Sequence, residues 1–216
     1  LELVDPSGSA LPSFSAGSHV DVHTPAGLVR QYSLCNDPAE THRYLIAILR
    51  DPASRGGSAA MHELEEGETV RISDPKNHFP LAHGAGHSIL VAGGIGITPI
   101  LCMAERLSNA GTSFELHYCA RSAERTAFSQ RIRQAPFADR AQFHFDDGPQ
   151  DQRLDIPALL AKPDPAKHLY VCGPTGFMNV VLDGAGKHGW SDECLHREFF
   201  SAEPVKTSGD DAFEVV

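Results

Sequence analysis

The sequence has 216 residues, of which 41% are hydrophobic, and a formal net charge of −10. A chain of this length can bury one large core or two small ones. Its acidic balance disfavours nucleic acid and anionic membranes as partners, and it contains no apolar run long enough to cross a bilayer. The five cysteines form no C-x-x-C pair and the twelve histidines have no metal-ligand spacing. We therefore expect a cytoplasmic protein without disulfides or a bound metal, with its histidines scattered on the surface.

The first third of the chain has the patterns of short antiparallel strands. Its apolar residues alternate with polar ones or form short runs, and glycine and proline separate these segments. The predicted strands cover residues 18–24, 29–34, 44–49 and 69–73, after a strand-like start at residues 1–4. Strands of this length and spacing predict an antiparallel β-barrel over residues 1–80, which we expect to lack its N-terminal strand.

From about Asn77 onward the patterns of strands and helices alternate. Strands are predicted at 88–92, 113–119, 140–145 and 168–172, with helices at 98–109, from 123, at 155–161 and from 174. This alternation predicts a doubly wound parallel α/β domain over residues 87–201. We expect residues 76–86 to link the two domains. Residues 202–216 have the composition of a polar tether followed by the start of another strand.

One strand of the predicted barrel pairs an arginine with a tyrosine. Arg30 and Tyr32 are two residues apart, so they lie on one face of the strand and could contact a single ligand. An exposed charge beside a half-buried tyrosine would give the same pattern. The next polar residue on this strand is Ser33.

A glycine turn opens a short helix at residues 55–61. Free backbone N–H groups after Arg55, Gly56 and Gly57, together with the Ser58 hydroxyl, could bind a phosphate. A plain helix start would have the same residues.

The strand at 88–92 ends in a glycine corner. Gly93, Gly94 and Gly96 leave the backbone open to a ligand, and Thr98 and Pro99 are predicted to be the N-cap and first residue of a helix. A helix start behind such a corner favours a pyrophosphate, although a tight turn without a ligand remains the alternative.

Two further segments follow predicted parallel strands, where ligands of open α/β sheets bind. Cys172, Gly173 and Pro174 follow one strand, and a small buried cysteine at a turn is the alternative interpretation. Asp146 and Asp147 follow another; they could accept hydrogen bonds from an adenosine ribose and repel a 2′-phosphate, or belong to a solvated face.

Five motifs, in this order, resemble those of the ferredoxin reductase superfamily. Within it the chain resembles the phthalate dioxygenase reductase group, near the vanillate demethylase reductases. The motifs are Arg-x-Tyr-Ser at 30–33, Arg-Gly-Gly-Ser at 55–58, the glycine corner at 93–99, Cys-Gly-Pro at 172–174 and His-x-Glu-x-Phe at 196–200. Arg197 stands where an apolar residue is frequent in the family.

The resemblance implies a flavin site and a nicotinamide site. FMN is the implied flavin, with FAD the alternative, and NADH the implied donor. Arg30, Gly57 and Ser58 would hold the flavin phosphate, Tyr32 would pack on the isoalloxazine ring, and Ser33 would lie by flavin N5. Cys172 and Thr98 would position the nicotinamide. Glu198 would lie near N5, and Phe200 would cover the flavin face.

The resemblance also implies a function. Hydride would pass from NADH to the flavin, and electrons would then leave singly through a 2Fe-2S centre to a Rieske-type oxygenase of an aromatic acid, with O-demethylation the first expectation. The cluster would lie in a ferredoxin domain absent from this chain, which has no C-x₄-C-x₂-C ligands. A stand-alone reductase that serves a ferredoxin, and a non-catalytic nucleotide-binding redox sensor, are the alternatives.

Overall fold

The structure, a computed structural model, describes residues 1–51 and 56–200. Antiparallel strands form the N-terminal part and a parallel α/β sheet forms the C-terminal part, so the predicted fold class is confirmed. Within the described ranges, no helix is both long and apolar enough to span a membrane. The predictions for Arg55 and for residues 202–216 lie outside the described residues.

The antiparallel region contains six short strands and one short helix. They are β1 (Glu2–Leu3), β2 (Ser18–His23), β3 (Val29–Ser33), β4 (Tyr44–Leu45), α1 (Gly57–His62), β5 (Arg71–Ile72) and β6 (Lys76–Asn77). Strand β2 pairs with β3, β5 and β6, while β1 pairs with β4. A single bridge between Leu34 and Ile46 joins the two sheets, which surround one core.

These strands differ from the predicted ones in length. Of the predicted strand 44–49, only Tyr44 and Leu45 form a regular strand, although Ile46 still exchanges backbone hydrogen bonds with Leu1 in the same register. Of residues 69–73, only Arg71 and Ile72 are in a strand. The first two residues of the predicted linker, 76 and 77, are part of the sheet as β6.

The C-terminal part is a five-stranded parallel sheet with helices on both faces. The strand order is β11-β10-β7-β8-β9. Its elements are β7 (His87–Gly93), α2 (Ile97–Asn109), β8 (Phe114–Ala120), α3 (Ser129–Gln134), β9 (Ala141–Phe145), α4 (Ile156–Leu160), β10 (Lys167–Cys172), α5 (Thr175–Lys187) and β11 (Leu195–Glu198).

Strand β7 lies at the centre because it is apolar on both faces. Leu90 and Ala92 pack into the core that contains α2, whereas Ile89 and Val91 pack into the core on the opposite face with α4 and α5. Side chains of a strand alternate between its two faces, so a continuous apolar run suits the middle of a covered sheet.

Two elements of this domain differ from the sequence-based expectation. The predicted helix at 123 is a 3₁₀ turn at Ala123–Arg125, and α3 begins only after Phe128, whose left-handed φ of 59° interrupts the helical path. Strand β11 was not predicted as a strand, because Leu195–Glu198 has no apolar run and lies at the sheet edge.

The two domains pack directly on one another. Phe79 lies next to Tyr170 of β10 with 6.0 Å between ring centroids, and the Ala82 N–H donates to the Tyr170 hydroxyl at 2.8 Å. Phe79 and Ala16 belong to the same buried cluster as α2. The segment between the domains is therefore fixed to the parallel sheet.

Leu90 tests the importance of the central strand. Leu90→Ala removes a fully buried side chain, and we expect the free energy of unfolding to fall by about 2–5 kcal/mol. Leu49→Ala is the matched control, since Leu49 is 63% exposed and should change stability by less than about 0.5 kcal/mol. Urea unfolding measures both. Equal losses in the two variants would contradict this account of the core.

Candidate active site at the carboxyl edge of the parallel sheet

The glycine corner brings two backbone segments into close contact. After β7, Gly94–Gly96 form a 3₁₀ turn that continues directly into α2. A Cβ on Gly96 would lie 2.2 Å from the Cys172 carbonyl oxygen, and a Cβ on Gly173 would lie 3.0 Å from the Gly93 Cα. Side chains are excluded at these positions, which leaves backbone N–H groups at the surface of the corner.

Helix α2 begins earlier than predicted. Gly96 is its N-cap and Ile97 its first residue, so Thr98 is not an N-cap and Pro99 is the third residue. The Thr98 hydroxyl donates to the Ile95 carbonyl at 3.1 Å instead of accepting a free N–H. The earlier start follows from Gly96, whose φ of −61° and ψ of −5° are already right-handed helical, whereas Gly94 has a left-handed φ of 54°. Pro99 is tolerated because the first-turn N–H groups have no intrahelical acceptor.

Cys172 ends β10 in the middle of this edge. It is fully buried, and in register it faces Ala92 of β7 and Glu198 of β11. Burial raises the pKa of its thiol well above the ordinary value, so the side chain is neutral. Pro174 follows as the N-cap of α5. The structure thus brings the Cys-Gly-Pro segment against the glycine corner, as expected for segments that end neighbouring parallel strands.

A hydrogen bond from the antiparallel domain reaches the same place. The Ser33 hydroxyl donates to Glu198 Oε2 at 3.2 Å, although 165 residues separate the two in sequence. Burial raises the pKa of Glu198 to about 7, while the Ser33 hydrogen bond opposes part of that shift. Glu198 can therefore gain or lose a proton near neutral pH, and Cys172 lies in the adjacent strand.

The predicted phosphate-binding residues of the antiparallel domain also lie together. A Cβ on Gly57 would be 3.1 Å from Arg30 Nε, so the guanidinium stem lies directly over the start of α1. Gly56 has a φ of +96°, a conformation that favours glycine. The Ser58 hydroxyl accepts a hydrogen bond from the Asp51 N–H at 3.2 Å. Tyr32, half-buried, lies on the same face of β3 as Arg30.

Asp146 and Asp147 are exposed at the end of β9. Their N–H groups donate to the carbonyls of Ala120 and Arg121, so the pair lies beside the end of β8. Arg153 donates from Nη2 to the Asp146 carbonyl at 2.9 Å. The Arg153 guanidinium thus accompanies the acid pair, and Cys119 of β8 faces Gly93 in register.

Sequence reasoning missed one segment at this edge. Arg121 and Ser122 follow β8, the strand between the glycine corner and the acid pair; their position after a buried strand was the available signal. Phe200 is 46% exposed at the end of the described residues, and its role over a flavin face stays a prediction. The remaining predicted residues that the structure describes fall into two groups, one around Arg30 and one at the sheet edge.

Comparison with known proteins identifies the relatives of the chain. Residues 90–183 match the family described as oxidoreductase NAD-binding domain. The chain is 60% identical over 216 residues to vanillate O-demethylase oxidoreductase of Pseudomonas putida, covering 100% of this chain and 68% of that protein. It is 41% identical to phthalate dioxygenase reductase of Burkholderia cepacia, covering 100% and 67%.

A solved structure of a relative has the same fold as this chain. Phthalate dioxygenase reductase, described as a modular structure for electron transfer from pyridine nucleotides to 2Fe-2S, superposes with a TM-score of 0.88 at 43% identity, covering 93% of this chain and 63% of that one. The fold, the sheet-edge corner and these matches define an oxidoreductase with an NAD-binding domain. The chain belongs to the family of vanillate O-demethylase oxidoreductases and phthalate dioxygenase reductases, and it spans about two thirds of their length.

Gly96 provides a test of the corner that needs no ligand. Gly96→Ala forces a Cβ against the Cys172 carbonyl, and we expect it to lower the free energy of unfolding by about 1–3 kcal/mol. Gly176→Ala in α5 is the control, because its Cβ would meet no atom within 4 Å, and it should be neutral or stabilising by up to about 1 kcal/mol. Thermal unfolding compares the two. A harmless Gly96→Ala would refute the close contact.

Glu198 gives a pH-dependent test. Its pKa in the folded state, about 7, exceeds the ordinary value of 4.5, so its contribution to stability is complete below pH 4.5 and is lost as the pH rises through 7. Glu198→Gln cannot ionise, and it should gain on the order of 2 kcal/mol relative to the parent between these pH values. Urea unfolding at a series of pH values measures the difference. A difference independent of pH would contradict the shifted pKa.

Proposed function

We propose that this chain is the flavin- and nicotinamide-binding part of an NADH-dependent oxygenase reductase. It accepts hydride from NADH on a bound flavin. Electrons then pass singly, through a 2Fe-2S centre outside this chain, to a Rieske-type oxygenase of an aromatic acid. A vanillate O-demethylase system is the preferred partner, because the relative at 60% identity carries that name. A ferredoxin is the alternative acceptor.

The Ser33–Glu198 hydrogen bond is the observation that carries the proposal. It connects the strand of the Arg-x-Tyr-Ser motif with the edge strand of the NAD-binding sheet, beside Cys172. A flavin ring along Tyr32 and a nicotinamide at Cys172 would therefore share one small region. Reductases need such proximity, since hydride transfer requires the reacting atoms to be close and oriented.

FMN is the proposed flavin. The Arg30 side chain lies so close to Gly57 that a Cβ there would be 3.1 Å from Nε, which groups the guanidinium with the N–H groups after Gly56 and with Ser58. Together these groups would hold a phosphate. The resemblance of residues 55–58 to the phthalate dioxygenase reductase loop favours FMN over FAD. Arg55, which lies outside the described residues, would add a second cation.

NADH is the proposed nucleotide. The glycine corner would take its pyrophosphate, with Gly93, Gly94 and Gly96 free of side chains and Pro99 inside the first turn of α2. Asp146 and Asp147 would accept hydrogen bonds from the adenosine ribose and disfavour a 2′-phosphate. The nearby Arg153 guanidinium weakens that repulsion, so we expect a preference rather than complete exclusion of NADPH.

The residues of the chain would position the reactants and handle a proton. When bound, the nicotinamide supplies a hydride and the flavin accepts it. Cys172 and Thr98, both buried, would form a dry surface against the nicotinamide. Cys172 stays protonated because burial raises its pKa. Glu198, with a pKa of about 7, would hold or release a proton through its contact with the Ser33 hydroxyl.

Flavin identity and retention test the binding site. We expect the purified chain to be yellow and to release FMN on heating, identified by mass spectrometry. Arg30→Ala should weaken FMN binding at least tenfold, because a charge-assisted hydrogen bond to phosphate contributes about 1.5–3 kcal/mol. Arg71→Ala, an exposed arginine on β5, is the control and should keep its flavin. Release of FAD would show that the phosphate loop has been misassigned.

Hydride transfer tests the geometry of the site. Ser33→Ala and Cys172→Ala should each slow the bleaching of the flavin band by NADH about tenfold or more, with flavin content nearly intact, because neither residue is assigned to the phosphate. Cys194→Ala is the matched control, since Cys194 is also buried but packs on the opposite face of the sheet. Stopped-flow absorbance measures the rates. Unchanged rates in both test variants would exclude the proposed arrangement.

A further inference from the structure

Three polar side chains form a hydrogen-bonded chain across the parallel sheet, contrary to the expectation of scattered surface histidines. His117 of β8 contacts Glu115 Oε2 through Nε2 at 3.1 Å and His144 Nε2 of β9 through Nδ1 at 3.1 Å. The two imidazole rings stack with centroids 5.3 Å apart, and His117 is 5% exposed. The chain ends where His144 Nδ1 meets the Gln152 carbonyl at 2.9 Å.

The Gln152 carbonyl at one end fixes which nitrogen of His144 carries a hydrogen. A backbone carbonyl only accepts, so His144 Nδ1 carries the hydrogen that binds Gln152. In a neutral His144 ring Nε2 then accepts from His117 Nδ1. His117 can donate to the Glu115 carboxylate through Nε2 at the same time only with a hydrogen on both ring nitrogens, as an imidazolium. These positions of the hydrogens are assigned from the network. The His117 hydrogen bond is the main cause that lowers the pKa of Glu115, and burial lowers the pKa of His144.

The Gln152 carbonyl belongs to the turn that carries the acid pair. A Cβ on Gly148 would lie 2.2 Å from Gln152 Oε1, so the turn is closed on itself. Arg153, the next residue, donates to the Asp146 carbonyl at 2.9 Å. His144 therefore binds the turn at Gln152, and the next residue, Arg153, connects this part of the turn to Asp146.

We propose that His144 is a positioning residue that fixes the turn at 146–153 and thereby sets the selection against nucleotides with a 2′-phosphate. The inference rests on the proposed role of Asp146 and Asp147 as ribose ligands. His144 touches no part of the ribose; it acts through the Gln152 carbonyl. Glu115 and His117 supply the support that keeps its Nδ1 hydrogen directed at the turn.

Several observations distinguish this arrangement from ordinary packing. Buried polar groups are costly unless they are paired, and this face of β8 and β9 carries hydrogen-bonded groups instead of apolar ones. Glu115 also meets His87 of β7 at 3.4 Å, so the support extends to the central strand. A substitution at His144 should therefore alter the position of Asp146 and Asp147.

Two amide variants separate the nitrogen atoms of His144. An asparagine amide nitrogen lies near the position of imidazole Nδ1, so His144→Asn keeps a donor for the Gln152 carbonyl. A glutamine amide nitrogen reaches the position of Nε2, so His144→Gln loses that donor. His188→Gln is the control, because His188 Nδ1 also contacts a backbone carbonyl, that of Gly184, at 2.8 Å.

Calorimetric titration of the full 216-residue chain with ADP-ribose and with 2′-phospho-ADP-ribose measures selection without hydride transfer. We expect the parent, His144→Asn and His188→Gln to prefer ADP-ribose to a similar degree. His144→Gln should lose about tenfold of that preference. Trypsin cleavage after Arg153, followed by mass spectrometry, should also be faster in His144→Gln, because the turn is released.

The outcomes separate this inference from the proposed function. A parent chain that binds both ligands equally would refute the proposed nucleotide preference itself. A parent that discriminates while His144→Gln discriminates equally well, with unchanged cleavage after Arg153, would overturn the role of His144 alone. Equal losses in His144→Asn and His144→Gln would also overturn it, since general disruption of packing would then explain the effect.

Discussion

The close contact between Gly96 and the backbone of Cys172 is the constraint on which the parallel domain depends. No side chain fits between them, so the turn after β7 and the end of β10 must meet as bare backbone. This contact determines where α2 begins and where Pro174 directs the chain into α5. It also keeps side chains away from one point of the sheet edge, so that an anionic ligand could approach the backbone at the start of α2.

The sequence was sufficient for those parts of the fold that depend on local chemistry. Four consecutive apolar residues identified β7, and three glycines identified the corner that follows it. Arg30 and residues 56–58, which were predicted to bind one phosphate, also lie close together in space. The N-cap and first residue of α2 were predicted two residues too late, because the Gly-Ile-Gly 3₁₀ turn before the helix has no capping side chain. Strand β11 escaped prediction because an edge strand needs little apolar surface.

What the sequence could not provide was the pairing of distant polar side chains. Ser33 and Glu198 each suit several environments, and only the packing of the two domains brings them together. The same holds for His117 and His144, which belong to different strands and looked like surface residues. Their contacts follow from strand order and register, which no local pattern contains. The topology of the sheets determines which distant residues meet, whereas a sequence motif shows only which residue types are available to meet.

The order of the strands also fixes the distance between two parts of the sheet edge. Cys172 ends β10 and the acid pair follows β9, and β7 and β8 lie between them. Three strand spacings of about 4.8 Å place these two points ~14 Å apart along the sheet edge. A ligand that engages both must be extended, and its two ends meet different strands. Recognition of one end of the ligand is thereby separated from the chemistry at its other end. Substitutions near β9 can therefore change ligand specificity without disturbing the reacting groups beside β10.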